Sequence, residues 1–301
     1  MTSIEEYATK IHDNIKKKDI EDIILDTIMK NNLKTRVEIS NYYKRNYGIS
    51  LFEEIQTKVK GDFGDCACQL FLSPLDFCIH HLQIGIKNGN EVAMEQLTSR
   101  SIEDLKLIEE EYNKTTGKDL KTEITSKFKG AIGKNLLNLW NTKRIENHNP
   151  DKRECEKYAN ILINNKPKDW VENENIFKEI FIERSPEEIV LIARYYLKNT
   201  GKNLIDDIEK ETGGNNQILL KEILYNNIRP HEIFADKLKK SVKGFGTDEY
   251  SLSRVLVSRC DLDMNYIRDM YQTKYKVSMK EDIIDDTSDS YQKLCVYLCE
   301  K

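Results

Sequence analysis

The chain repeats its organisation at intervals of slightly less than eighty residues. Pro74, Pro150 and Pro230 lie in short polar or broken stretches, and they are separated by 76 and 80 residues. They divide the sequence into four blocks of similar length: 1–73, 74–148, 149–229 and 230–301. Repeats on this scale bury their apolar faces against neighbouring repeats, so we expect the four blocks to share a single compact core.

Helical signals dominate every block. Ser-x-x-Glu or Ser-x-x-Asp boxes, which can cap the free N–H groups at the start of a helix, begin at Ser3, Ser50, Ser101, Ser185 and Ser278. Apolar residues then follow at helical spacing, as in Tyr291, Leu294, Cys295, Leu298 and Cys299. The 13 glycines and 5 prolines are too few for an all-β chain with many tight turns. The sequence therefore predicts an all-α fold with five helices in each block.

Composition excludes several classes of protein. The chain has 47 Lys and Arg against 51 Asp and Glu, and a net charge of −4 argues against a dedicated nucleic-acid binder. No apolar stretch approaches the ~20 residues that cross a bilayer, and the first residues do not form a secretory signal. Seven cysteines without an export signal are expected to be reduced thiols in the cytoplasm.

One loop in the fourth block carries the most specific signal. Lys243-Gly-Phe-Gly-Thr-Asp-Glu249 places two glycines between two helices, where a tight loop can turn its carbonyl groups toward one point. Thr247 is expected to cap the next helix. Asp286, in a second and acidic loop, follows Gly244 by 42 residues.

These residues resemble the fourth repeat of the annexins, whose signature combines such a glycine loop with an acidic residue 42 positions later. The resemblance implies a Ca²⁺ site built from the carbonyl oxygens of Val242, Gly244 and Gly246 and the bidentate carboxylate of Asp286. Calcium takes roughly 6–8 oxygen ligands, so positions would stay open for water or a lipid phosphate. The neighbouring loop residues Lys243 and Phe245 are predicted to contact the membrane.

The resemblance extends over nearly the whole chain and implies more than one site. It implies four annexin-type repeats of five helices that form one curved disc, with the calcium loops on its convex face. It implies calcium-dependent binding to acidic phospholipid membranes, without catalysis. The short segment before the first helix and the eroded loops of the other repeats suggest a divergent branch similar to the alpha-giardins of protists.

The third repeat keeps the acidic residue but loses the glycines. An arginine follows Gly244 by 15 residues, and applying this offset to Arg184 and Arg100 places the corresponding loop positions at Asp169 and Gly85. Three arginines, Arg100, Arg184 and Arg259, are interpreted as structural ion-pair residues. A weaker calcium site would use the carbonyls of Pro167, Asp169 and Val171 with the carboxylate of Glu211. Glu211 could equally be a capping acid. Trp170 is either a membrane contact or a residue packed against its own loop.

The first two repeats reverse the charge at the acidic position. The 42-residue offset leads from Gly85 to Lys127 in the second repeat. In the first repeat the acidic position falls near Lys58, and the same offset counted back leads to Lys16, so the corresponding loops contain Lys16–Lys18 and Ile84–Lys87. A protonated lysine cannot bind calcium, so no calcium site of the usual kind is expected in these repeats. The hypothesis is that Lys58 and Lys127 contact anionic headgroups directly in place of the metal.

Other motifs do not support catalysis or other metals. A zinc site at Cys66, Cys68, Cys78 and the neighbouring histidines lacks a usual ligand spacing. Asp261-Leu-Asp263 begins like an EF-hand, but Tyr266 occupies the position that requires glycine. No arrangement of catalytic residues is marked by a local motif, so the chain is not expected to be an enzyme.

One alternative belongs to a different functional class. Because two repeats have lost their calcium ligands, the chain could be a structural protein in which calcium binding is vestigial, attached to a cytoskeletal protein or to other copies of itself. In either case we expect a cytoplasmic protein that lies on the inner membrane surface or on the cytoskeleton.

Overall fold

Helices form the regular structure of the chain. The computed structural model describes residues 3–144, 148–244 and 246–301. Within these ranges there is no β-strand, and each of the four repeats contains five principal helical segments. The predicted all-α fold is therefore confirmed. No helix in the described ranges is both long enough and apolar enough to cross a membrane.

The first and fourth repeats form one unit, Met1–Phe77 with His231–Lys301. In the first repeat the helices are α1 (Ile4–Asn14), α2 (Ile20–Lys30), α3 (Leu33–Tyr47), α4 (Leu51–Lys58) and α5 (Asp62–Ala67), followed by a 3-10 turn at Cys68–Phe71. The last five helices of the chain belong to the fourth repeat.

The second and third repeats form the other unit, Cys78–Pro230. The second repeat contains α6 (Pro74–Asn88), α7 (Glu91–Thr98), α8 (Ile102–Thr116), α9 (Leu120–Lys127) and α10 (Ala131–Asn141). The third contains α11 (Lys152–Ile163) and then a second segment made of α12 (Pro167–Glu172), the short α13 (Glu174–Ile176) and a π-helical turn at Phe177–Ile182. Its third, fourth and fifth segments are α14 (Pro186–Thr200), α15 (Leu204–Glu211) and α16 (Gly214–Ile228). The fourth contains α17 (Pro230–Ser241), α18 (Glu249–Arg259), α19 (Met264–Tyr275), α20 (Met279–Asp286) and α21 (Asp289–Glu300).

Within the first unit, the two repeats share one apolar core. Buried residues of α1–α5 and α17–α21 belong to a single cluster, which includes Ile24 and Leu294 at 0% exposure. Arg36 is also fully buried, and its guanidinium donates to the carbonyl oxygens of Asn31 and Leu70, each at 2.9 Å. It also donates to the Asp261 carboxylate at 2.6 Å, so an ion pair joins the first repeat to the fourth.

Within the second unit, polar contacts join the second repeat to the third. The Asn135 amide donates to the carbonyl oxygen of Val171 at 2.8 Å, and Arg144 donates to the Asn227 amide oxygen at 2.7 Å. The sequence predicts one core for all four repeats. The described contacts group the repeats into these two units, and a core shared by all four repeats stays a prediction.

Candidate calcium site

The connection between α17 and α18 is a seven-residue loop, Val242–Asp248. The backbone N–H of Asp248 donates to the carbonyl oxygen of Ser241 at 2.8 Å and so closes the loop at its base. Gly244 has φ +125° and Gly246 has φ +84°, which are conformations that side chains with a Cβ rarely adopt. The two glycines are therefore required by the shape of the loop.

Asp286 reaches this loop from the end of α20. The Thr247 hydroxyl lies 2.7 Å from the Asp286 carbonyl oxygen and 2.8 Å from its carboxylate oxygen Oδ2. The sequence predicts Thr247 as the cap of α18, but that role belongs to Asp248, whose carboxylate accepts the N–H of Ser251 at 3.0 Å. Thr247 instead orients Asp286. The sequence around Thr247 does not predict this contact, because Asp286 is 39 residues away along the chain.

The donor set of this loop fits a hard cation such as Ca²⁺. Among the described residues, no donor binds the carbonyl oxygens of Val242, Gly244 and Gly246, and the second carboxylate oxygen of Asp286 is equally without a donor. Oxygen ligands of mixed carboxylate and carbonyl type are those that calcium prefers. The described ranges contain no group of three or more His, Cys, Asp or Glu side chains that could hold a metal ion.

An acidic cleft adjoins Asp286. It has a volume of about 260 Å³, and its lining includes the carboxylates of Glu21, Asp62, Glu249 and Asp289 together with the ammonium of Lys60. Four further carboxylates against one ammonium give the cleft a net negative charge. Such an excess of negative charge beside the loop favours the approach of a divalent cation.

The 42-residue offset identifies residues that are equivalent in the structure. Each is the last residue of an eight-residue helix, the fourth of its repeat: Lys58, Lys127, Glu211 and Asp286. Glu211 and Asp286 share further detail, since the residue after each is a threonine whose hydroxyl donates back into the helix. A glutamine side chain then closes both corners, Gln217 in the third repeat and Gln292 in the fourth.

The loops that should face these residues differ in length. The connection between the first two helices spans 15–19 in the first repeat, 89–90 in the second and 164–166 in the third, compared with 242–248 in the fourth. Presenting three carbonyl groups to one ion requires a loop of several residues. The fourth repeat has the longest connection of the four, and it alone combines this length with two glycines at positive φ.

The predicted loop of the third repeat is a helix. Pro167, Asp169 and Val171 all lie in α12, where the Asp169 carbonyl accepts the N–H of Asn173 at 2.9 Å. The Val171 carbonyl accepts from Asn135, as described above. These oxygens are therefore hydrogen-bonded within the fold rather than collected around a cation position. Glu211 itself is exposed at the end of α15.

Gly85 is also not in a loop. It lies inside α6, where a Cβ would fall 2.3 Å from the backbone nitrogen of Ala93. The prediction that Ile84–Lys87 forms the loop of the second repeat is thus wrong, because α6 continues to Asn88 and the connection to α7 is short. Gly85 instead permits the close approach of α6 and α7.

Trp170 does not face a membrane. Its side chain is fully buried, and its indole Nε1 donates to the carbonyl oxygen of Asn165 at 3.1 Å. The prediction of a membrane contact is wrong for this residue, and the alternative of packing against its own connection agrees with its position. Lys243 is exposed in the fourth-repeat loop, whereas Phe245 lies outside the described residues.

Lys127 connects two segments of the second repeat, the end of its fourth helix and the loop after its first helix. The equivalent segments of the fourth repeat supply the candidate calcium ligands. Its side chain extends from the end of α9 over Gly89, so that a Cβ on Gly89 would fall 2.6 Å from the lysine Cε. Lys58 is exposed at the end of α4. Both corners read Lys-x-Lys-Gly-x-x-Gly, with the second lysine at Lys60 or Lys129. The first and second repeats share this motif, and the 42-residue offset alone does not predict it.

The remaining motifs have structural roles. Asp261 pairs with Arg36 and Lys301, and Asp263 pairs with Arg259, so neither carboxylate is part of a calcium loop. Arg184 lies within 4 Å of Glu183 and Glu188, in agreement with an ion-pair role. All seven cysteines are buried as free thiols.

Comparison with known proteins identifies the fold family. A family model described as annexin matches residues 82–139, 158–223 and 233–298. Annexin A13 of Mus musculus is 30% identical over 285 residues, covering 92% of this chain and 89% of that protein. The structure of chicken annexin V matches with a TM-score of 0.89 at 27% identity, covering 99% of this chain and 96% of that one. Calcium-bound alpha-14 giardin matches with a TM-score of 0.82 over 99% of this chain and 100% of that one, but its 14% identity speaks for the fold alone. This chain belongs to the annexin family.

Proposed function

We propose that this chain binds acidic phospholipid surfaces in the presence of calcium, mainly through the fourth repeat. The observation that carries the proposal is the loop Val242–Asp248, in which the carbonyl oxygens of Val242, Gly244 and Gly246 have no donor among the described residues. Thr247 ties this loop to the Asp286 carboxylate. The annexin family is known for calcium-dependent phospholipid binding. The proposal assigns that property to a particular loop of this chain, on the inner surface of a membrane.

The loop residues and Asp286 would contribute different groups to the proposed site. Val242, Gly244 and Gly246 would supply neutral oxygens, and Asp286 would supply the negative charge. Calcium bound there would supply open coordination positions for a lipid phosphate oxygen. The ammonium of Lys243 is exposed in the loop and would add attraction to the anionic surface. The Phe245 side chain would add apolar contact with the membrane. None of these steps changes a covalent bond, so the proposed activity is binding without catalysis.

The lysines of the first two repeats have a separate proposed role. Lys127 reaches from the fourth helix of its repeat to the connection after its first helix, which are the two segments that would hold calcium in the fourth repeat. A lysine ammonium in that location can contact a headgroup phosphate without a metal. Lys58 occupies the equivalent position in the first repeat. We therefore propose that Lys58 and Lys127 give the chain a calcium-independent component of membrane binding.

The test is co-sedimentation with phosphatidylserine vesicles, in calcium and in chelator. We expect wild-type protein to sediment with calcium, and Asp286→Ala to lose most of that binding because the only side-chain ligand is gone. Asp285→Ala is the matched control, since it removes an exposed neighbouring carboxylate and should behave as wild type. Equal calcium-dependent binding by Asp286→Ala and wild type would contradict the assignment to the fourth repeat.

The same assay separates the remaining assignments. Glu211→Ala measures a contribution of the third repeat, which we expect to be small because Pro167, Asp169 and Val171 lie in α12. The double variant Lys58→Glu, Lys127→Glu should lower the residual binding in chelator, and unchanged residual binding would refute the lysine proposal. No sedimentation of wild type under either condition would favour the structural alternative, with a cytoskeletal protein or a second copy of this chain as partner.

A further inference from the structure

The third helix of every repeat has a tyrosine at an equivalent position. The four tyrosines each precede the first residue of the fourth helix by eight positions: Tyr43, Tyr112, Tyr196 and Tyr271. The fourth residue of the following helix is always acidic: Glu54, Glu123, Asp207 and Asp282. The repeats thus place a phenol and a carboxylate near each other four times.

Three of the four phenols have a hydrogen-bond partner. Tyr196 donates to Asp207 at 2.7 Å, Tyr271 donates to Asp282, and Tyr43 lies 3.1 Å from the ring nitrogen Nδ1 of His12. In the fourth repeat, Lys239 completes the cluster with a 2.6 Å contact to Asp282. In the fourth repeat, this cluster therefore joins the first, third and fourth helices.

The second repeat leaves the space between its first, third and fourth helices open. The Tyr112 hydroxyl has no partner among the described residues, although the side chain is only 2% exposed. Glu123 turns to Lys118 instead, at 3.1 Å. Gln83 occupies the helix position of Lys239, counted from the proline that begins each helix, and its shorter amide forms no hydrogen bond in the described part of the chain. A cavity of about 430 Å³ results.

The cavity has the lining of an anion site. Two of its six lining residues are lysines, Lys87 and Lys118, and one is the carboxylate Glu123, so its net charge is positive. Lys87 makes no ion pair with any described residue. Burial raises the pKa of the Tyr112 phenol, and the nearby Glu123 charge raises it further, so the hydroxyl remains a hydrogen-bond donor at neutral pH. Gln83 offers an amide donor as well.

We propose that the cavity formed by Gln83, Lys87, Tyr112, Thr116, Lys118 and Glu123 binds a phosphate monoester. The dianion of a monoester is attracted by the Lys87 ammonium, which has no ion pair among the described residues, and its several oxygens match the phenol and amide donors. The phosphate can belong to a soluble compound or to a lipid headgroup, and the chemistry of recognition is the same for both. The site lies in the second repeat and uses none of the residues assigned to calcium.

The experiment is titration of the full chain in chelator, so that the calcium loop makes no contribution. The soluble probes are inorganic phosphate and glycerol 3-phosphate at millimolar concentration, and their binding is measured by calorimetry. The lipid probe is phosphatidic acid in phosphatidylcholine vesicles, with phosphatidylglycerol at equal surface charge as the diester control. We expect binding to at least one monoester probe and weaker binding to phosphatidylglycerol.

Substitutions test the location. Lys87→Gln should weaken monoester binding about tenfold and Tyr112→Phe about fivefold, because each removes one donor to a charged group. Lys134→Gln on α10 is the matched control, since it removes an exposed lysine outside the cavity and should leave binding unchanged.

Each outcome bears on the proposal. Binding of the soluble probes that is lost in Lys87→Gln supports a soluble ligand, and binding of phosphatidic acid alone with the same sensitivity supports a headgroup. Absence of binding to every probe overturns the proposal. So does binding that both substitutions leave unchanged, binding that Lys134→Gln weakens equally, or equal binding of the diester lipid.

Discussion

Among single residues, Thr247 has the clearest role that the sequence does not predict. Its hydroxyl contacts both the carbonyl and the carboxylate of Asp286, so it fixes the direction of the one anionic candidate ligand. Groups that orient a metal ligand commonly change metal affinity by about 10–100-fold when removed. The contact therefore predicts a functional effect at a residue that would not itself bind calcium.

Thr247→Val is expected to lower calcium affinity about tenfold while preserving the fold, because valine keeps the shape and loses the hydroxyl. Calcium titration by calorimetry in the presence of phosphatidylserine vesicles measures the effect. Thr212→Val is the matched control, since its hydroxyl donates only to the Ile208 carbonyl of its own helix. Unchanged affinity in Thr247→Val would show that Asp286 is held by other contacts.

A second residue-scale prediction concerns Asp261 and pH. Burial alone would raise the pKa of this carboxyl, but Lys301 and Arg36 outweigh burial and hold the pKa below the ordinary value of 3.8. A carboxyl whose pKa is lower in the folded state stabilises the fold above its ordinary pKa, and this contribution is lost as the pH falls through the folded-state value.

Asp261→Asn should therefore reduce the free energy of unfolding at neutral pH and make it less sensitive to acid. Urea unfolding followed by circular dichroism across the acidic range measures both effects. Asp285→Asn, which changes an exposed carboxyl, is the comparison. An acid dependence in Asp261→Asn as steep as in wild type would contradict this account.

Local sequence patterns predict Asp286 as a candidate ligand, but they do not predict the ion pair between Arg36 and Asp261. Gly244 and Asp286 are 42 residues apart, and the same spacing counted in another repeat predicts the position that corresponds to Asp286. Arg36 and Asp261 are 225 residues apart, and their contact arises only because the first repeat packs against the fourth. Neither composition nor periodicity carries that information.

At the scale of helices and connections, the length of each connection limits what the offsets can predict. The positions Lys58, Lys127, Glu211 and Asp286 are equivalent because each ends the fourth helical segment of its repeat, and that helix has eight residues in every repeat. The offset from arginine to loop fails at Gly85 and Asp169 because α6 and α12 occupy positions that are loop in the fourth repeat. A fixed spacing holds only where the intervening helices and loops keep their lengths.

The corners after α4 and α9 provide an element-scale prediction. In both, the second glycine of the motif lies against a backbone carbonyl, so that a Cβ on Gly64 would fall 1.9 Å from the Val59 oxygen. A Cβ on Gly133 would fall 2.1 Å from the Phe128 oxygen. Backbone at such a distance cannot yield as a flexible side chain would. Gly64→Ala and Gly133→Ala should each destabilise the protein by about 1–3 kcal/mol in urea unfolding.

Gly213→Ala provides the control for both glycine variants. Its Cβ would meet nothing within 4 Å, and its φ of −152° suits any residue, so its effect should stay below about 1 kcal/mol. Equal stability of Gly64→Ala, Gly133→Ala and Gly213→Ala would mean that the corners relax at no cost. In that case the shared glycine motif would have no structural requirement behind it.

For the whole molecule, the division into two units determines where calcium should change stability. The candidate site belongs entirely to the unit of the first and fourth repeats, and the buried residues of that unit form one cluster. A ligand that binds only the folded state stabilises it by about 2.7 kcal/mol at a hundred times its dissociation constant. Local openings that destroy the site become less favourable by the same free energy, whereas the free energy of openings elsewhere does not change.

Hydrogen exchange in calcium and in chelator, both with phosphatidylserine vesicles, should therefore distinguish the units. We expect calcium to slow exchange in α17, α20 and the amides that follow Asp286, and to leave the corresponding amides after Glu211 unchanged. Asp286→Ala should remove the effect. Equal slowing after Glu211 would mean that the third repeat also holds calcium, despite the helix that occupies its predicted loop. Slowing that persists in Asp286→Ala would place the calcium elsewhere in the chain.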